Sequence, residues 1–180
     1  MTSVNSTERS RNFSDHVKAS FRKQAIMKLF RARITRLDRG VVEISAENRP
    51  EFGQQDGYVH AGALLTLTDS AGGYATLSAL PPGSRVLSVE LKLNFLRPAF
   101  GTIIRGRARV RKLGGTISVC EIEAEMKQGR KWVTCAWGTQ TVYCIRNMLS
   151  GTEYHGQSVH YQNHQHSASR SRQRTPSRTC

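Results

Sequence analysis

The sequence predicts an α+β domain in which one long apolar helix is set against about six antiparallel strands. Three observations predict it. Residues 61–80 are apolar and rich in small side chains, and Pro81-Pro82-Gly83 ends any helix there firmly. Residues 85–96 alternate, with Leu87, Val89, Leu91, Leu93 and Phe95 on one face and Ser88, Glu90, Lys92 and Asn94 on the other, the period of a half-buried strand. Residues 103–112 and 116–126 flank Leu113-Gly114-Gly115, a tight turn of the kind that joins antiparallel neighbours.

The elements follow in order. The first 13 residues are polar and broken in pattern, and are expected to fray. Ser14 is placed to cap a helix over residues 15–30, whose Val17, Phe21, Ala25, Met27, Leu29 and Phe30 form an imperfect apolar stripe among basic residues. Residues 33–38 and 41–46 alternate around Arg39-Gly40 and read as a hairpin. After the loop with Pro50 and Gly57 comes the long helix, then strands over 85–96, 103–112, 116–126 and 131–145. Gly62, Gly72 and Gly73 each cost that helix up to about 1 kcal/mol relative to Ala, which predicts close approach of a sheet, a substrate or a partner helix. One domain over residues 14–145 accounts for all of this. Residues 146–180 are rich in Ser, Thr, Gln, His and Arg, hold few large aliphatic side chains, and are expected to be disordered.

The net charge is +14, and the tail's Arg146, Arg170, Arg172, Arg174 and Arg178 against Glu153 carry only a minority of it. A basic domain suits a polyanionic partner, a phosphate-bearing ligand, nucleic acid or an anionic membrane among them; solubility alone is the bland reading. No helix-turn-helix segment is evident, so nucleic acid is not expected as a partner. Arg105, Arg107, Arg109 and Arg111 share one side of their strand, and Glu121, Glu123 and Glu125 share a face of the next. A solvated cross-strand ladder is the expectation, against a phosphate site. Cys120, Cys135, Cys144 and Cys180 show no C-x-x-C pairing and imply no metal site. Without an apolar run of spanning length or a signal leader, a cytoplasmic protein that crosses no membrane is expected.

The chemistry concentrates between Gln54 and Gly73, where a polar loop leads through His60 into a helix carrying one acid, Asp69. The N-terminal end of a helix gathers unpaired N–H groups, so Ala61 and Gly62 offer donors for an oxyanion. Nine residues separate His60 from Asp69, roughly 900° of rotation and about 13 Å of rise, so the two project from opposite faces. If both serve chemistry, two copies of the helix must meet in a shared site. Asp56 is a rival acid, although its neighbours Gln55 and Gly57 make it a plausible turn residue.

Gln54, Gly57, His60, Ala61, Gly62 and Asp69 resemble the loop-and-helix pattern Asn/Gln-x-x-Gly-x-x-His-Gly/Ala-Gly of the PaaI-like acyl-CoA thioesterases, with an acid further along. The likeness runs over roughly residues 17–144 and includes Pro81-Pro82-Gly83 and residues 87–98. It implies a hotdog fold and hydrolysis of acyl-CoA to free acid and coenzyme A, with no cofactor beyond the coenzyme A of the substrate. It implies Asp69 as general base, or as nucleophile in a mixed-anhydride route, and Gln54 as the amide that holds water or carbonyl, with Gln55 its rival. His60 is left between bracing the loop and bonding the carbonyl, and Ser88 is implied to hydrogen-bond the attacking water. Arg85, Lys92 and Arg97 are the basic candidates for coenzyme A. A homodimer or a dimer of dimers is implied. A hotdog protein that binds or senses acyl-CoA without turning it over is the alternative, and a hydratase a more distant one.

Overall fold

Helix α3 (Ala61–Ala79) forms the axis of the molecule because its side chains leave it no polar face. Leu67, Ala71 and Ala75 are fully buried, and the buried Thr68 and Thr76 turn their hydroxyls back on the helix, donating to the carbonyls of Leu64 at 2.9 Å and Gly72 at 3.1 Å. The computed structural model describes residues 6–146 of the chain, and within them one six-stranded sheet wraps this helix. The strands are β1 (Arg33–Asp38), β2 (Val41–Glu47), β3 (Arg85–Phe95), β4 (Ile103–Lys112), β5 (Ile117–Gln128) and β6 (Lys131–Ile145). Their order is β1-β2-β4-β5-β6-β3, every neighbouring pair antiparallel. Ile44, Ile104, Ile122, Met126 and Val142 are fully buried in one core with the helix, each contributing about 1.5–3 kcal/mol of apolar burial. Gly106 lets β4 approach closely: a Cβ there would lie 2.5 Å from the Leu67 carbonyl oxygen.

The single helix expected over residues 15–30 is two. Helix α1 (Ser6–Lys23) starts well before Ser14, and α2 (Ala25–Leu29) follows a break at Gln24, whose backbone is extended at φ −75° and ψ 106°. The apolar stripe was imperfect because it belongs to two helix axes. Val17 is fully buried, and Phe21 meets Tyr74 of α3 edge to face, with ring centroids 5.5 Å apart.

Strand β3 also departs from expectation. Its register with β6 steps between Ser88 and Glu90, so Val89 is the extra residue of a β-bulge. Ahead of the bulge Val86 and Ser88 stand opposite Cys144 and Val142, and beyond it Leu91 and Leu93 stand opposite Gln140 and Gly138. The alternation read as one apolar face is therefore split, leaving Leu87 60% and Val89 61% exposed on an edge strand. The cross-strand charge ladder forms, but it is not solvated throughout, since Glu125 is buried. Arg105, Arg107 and Arg109 stand opposite Glu125, Glu123 and Glu121, and Arg105 and Arg107 also reach Glu43 on β2, at 3.4 and 3.2 Å.

Candidate active site

The loop before α3 is shaped by its backbone. Gly57 takes φ +79° and donates its N–H to the Gln54 carbonyl at 3.1 Å, while the Gln54 N–H bonds the Tyr58 carbonyl at 2.8 Å. Gln54 itself is half-buried, Gln55 bonds Asp56 at 3.3 Å, and both Gln55 and Asp56 are exposed, as the turn reading of Asp56 implies. His60 is the N-cap: its Nδ1 accepts the Gly62 N–H at 2.9 Å. A neutral imidazole that accepts at Nδ1 carries its proton on Nε2, so a donor faces outward. This cap corrects one expectation, since the Gly62 N–H is occupied within the chain. The Ala63 N–H bonds the His60 carbonyl at 3.0 Å, which leaves the Ala61 N–H as the first-turn donor with no partner among the described residues. His60 and Gly62 line a cavity of about 610 Å³ with Phe30, Phe52, Arg49 and Thr66.

Asp69 lies about two and a half turns beyond His60, half-buried, in a different setting. Its Oδ1 accepts two bonds, from the Ser88 hydroxyl at 2.6 Å and from Gln140 Nε2 at 2.7 Å. Gln140 Nε2 also reaches Ser88 Oγ at 2.8 Å and the Asp69 carbonyl at 3.2 Å. Oδ2 has no bond among the described residues. Ser88 reaches this network because of the Val89 bulge; the uninterrupted alternation had placed it on the face of Glu90 and Lys92. Asp69 and Ser88 line a cavity of about 510 Å³ with Tyr74, Leu77, Val86 and Arg85. Gln140 was not among the candidates. Its signal was a polar residue at an inward position of β6, between Gly138 and Val142.

The helix places the two groups as its pitch requires. The His60 cavity and the Asp69 cavity have no lining residue in common, so one chain does not bring these side chains to one point. Of the basic candidates, Arg85 edges the Asp69 cavity, Lys92 lies farther along β3 opposite Thr139, and Arg97 is exposed beyond that strand. The three do not form one cluster. Among the described residues no three His, Cys, Asp or Glu side chains are placed to hold a metal ion, and no helix is long and apolar enough to cross a membrane. The tail's histidines lie outside the described residues.

A long buried helix in a six-stranded antiparallel wrap, with a capped glycine-rich entrance and one bonded acid, defines a hotdog protein. The sequence model of the thioesterase superfamily matches residues 56–133. The chain is 30% identical over 105 residues to the proofreading thioesterase EntH of Klebsiella pneumoniae, a match covering 58% of this chain and 77% of that one. It is 36% identical to a solved thioesterase family protein of Silicibacter pomeroyi, with a TM-score of 0.73 over 75% of this chain and 99% of that one. The solved PaaI protein of the Escherichia coli phenylacetic acid degradation operon is 25% identical, with a TM-score of 0.65 over 79% and 97%. Across three curated relatives, the matched stretch spans between 51% and 77% of their own length. The chain belongs to the thioesterase superfamily, as a PaaI-like hotdog thioesterase. Thioester hydrolysis is the chemistry that this membership supports.

Proposed function

We propose that the chain hydrolyses acyl-CoA thioesters to free acid and coenzyme A, in sites each assembled from two copies of the protein. The observation that carries this reading is the Asp69 carboxylate, with Oδ1 held by Ser88 and Gln140 and Oδ2 unbonded beside a cavity. Oδ2 takes a proton from water as its oxygen attacks the thioester carbon. The resulting oxyanion is met by the Ala61 N–H, with His60 Nε2–H and the Gln54 amide as further donors. Collapse of the tetrahedral adduct breaks the carbon–sulfur bond, and the proton held by Asp69 passes to the departing thiolate. A mixed-anhydride route through the same carboxylate is the variant.

The separation of the two cavities supports a site in which the helix entrance of one copy faces Asp69 of another. Strand β3 supports the pairing: among the described residues it is an edge of the sheet, with Leu87 and Val89 exposed. Free thiols at Cys120, Cys135 and Cys144 suit the cytoplasm. The test follows thiol release from phenylacetyl-, short-chain and medium-chain acyl-CoA. Asp69→Asn is expected to lower kcat on the order of 10²- to 10⁴-fold, the range for loss of a general base. A mutant as active as its parent, or a parent that releases no thiol, would overturn the proposal.

A further inference from the structure

Gln140 is among the largest fully buried side chains, at 0% exposure, yet the inward positions flanking it on β6 are held by Ala136, Gly138, Val142 and Cys144. A buried amide costs free energy unless its polar atoms are bonded, and here only one end is. Nε2 serves Asp69 Oδ1, the Asp69 carbonyl and Ser88 Oγ, whereas Oε1 is buried with no partner among the described residues. Stability alone would favour an apolar residue at this position. The orphaned oxygen sits over Gly72: a Cβ added there would lie 1.6 Å from Gln140 Oε1 and 2.9 Å from its amide carbon. The glycine supplies a slot in the middle of α3, and the amide that fills it reaches the acid one turn earlier.

We infer that Gln140, seated over Gly72, is a positioning residue that holds Asp69 Oδ1 and orients the Ser88 hydroxyl, so that Oδ2 is the oxygen left for reaction. The hydroxyl can donate to only one acceptor. With Gln140 Nε2 donating to Ser88 Oγ, the hydroxyl proton is directed to Asp69, and the carboxylate is fixed by two donors from two strands, β3 and β6. This inference rests on Asp69 being the working acid.

The test is steady-state kinetics on the full chain for Gln140→Leu, Gln140→Ala, Gly72→Ala and the Gly72→Ala/Gln140→Ala pair, beside Asp69→Asn. Gln140→Leu is expected to lower kcat on the order of 10²-fold with KM unchanged, as a misplaced catalytic group does. Gly72→Ala is expected to cost kcat by a comparable factor in the parent, because the amide must leave its slot. In the Gln140→Ala background, where the slot is empty, it is expected to cost nothing more. Should Gln140→Leu not fold, Gly72→Ala carries the test, since the clash is with the end of a flexible side chain. Full kcat in Gln140→Leu or Gly72→Ala while Asp69→Asn is inactive, losses that simply add in the double variant, or a loss confined to KM, would overturn the inference. An active Asp69→Asn, or a parent without thioesterase activity, would remove the catalytic reading and this inference with it.

Discussion

At the start of α3, capping and the proposed oxyanion site draw on the same few N–H groups. His60 Nδ1 takes the Gly62 N–H, so under the proposed reaction the first-turn donor left for a thioester carbonyl is that of Ala61. Ala61 is the first helical residue, where proline is tolerated because its missing N–H would have no helical partner. His60, the residue before it, already has φ −63° and ψ 139°, the backbone region a following proline demands. Ala61→Pro therefore removes one donor and keeps the helix. The expected outcome is an unchanged melting temperature with kcat lowered about 10²- to 10³-fold, the range for loss of one oxyanion donor. Unchanged turnover would assign the oxyanion to another group.

Among the elements, the strands hold most of what the sequence left unread. Periodicity was enough for the long helix, the hairpin and the Arg–Glu pairing of β4 with β5, because each follows from a local repeat. It failed on β3, where a one-residue bulge at Val89 reverses which side chains face the helix, and no local pattern announces a bulge. It failed on Gln140, whose role depends on Gly72, Asp69 and Ser88, brought together only by the sheet order. The glycines in α3 were legible as close approach, and at Gly72 the approaching group is Gln140 of the sheet. The ladder carries a prediction of its own. The Trp137 indole N–H donates to Glu121 Oε1 at 2.8 Å and, with Arg111, holds this carboxyl below the usual carboxylate range against partial burial. A lowered folded-state pKa adds stability that is fully present above the unfolded value, about 4.3, and is lost as pH falls through the folded one. Trp137→Phe should thus be less stable than the parent at pH 6 in urea unfolding, and the gap should narrow as pH falls below about 4. A gap independent of pH would contradict this origin.

For the whole molecule, the governing fact is that nine residues of helix separate the cap from the acid. The structure keeps the two in cavities without a common lining residue, while among the described residues an edge strand exposes Leu87 and Val89. Both observations support the proposed pairing of two copies about a two-fold axis. Under that symmetry a mixed dimer of Ala61→Pro and Asp69→Asn chains contains one site with both defects and one site with neither. The decisive measurement is thiol release by this mixed dimer, purified through different tags on the two chains and compared with each mutant homodimer. Shared sites predict two inactive homodimers and a mixed dimer with about half the activity of the native dimer. A mixed dimer no more active than the mutants would contradict the account, because each chain would then have to complete its own site.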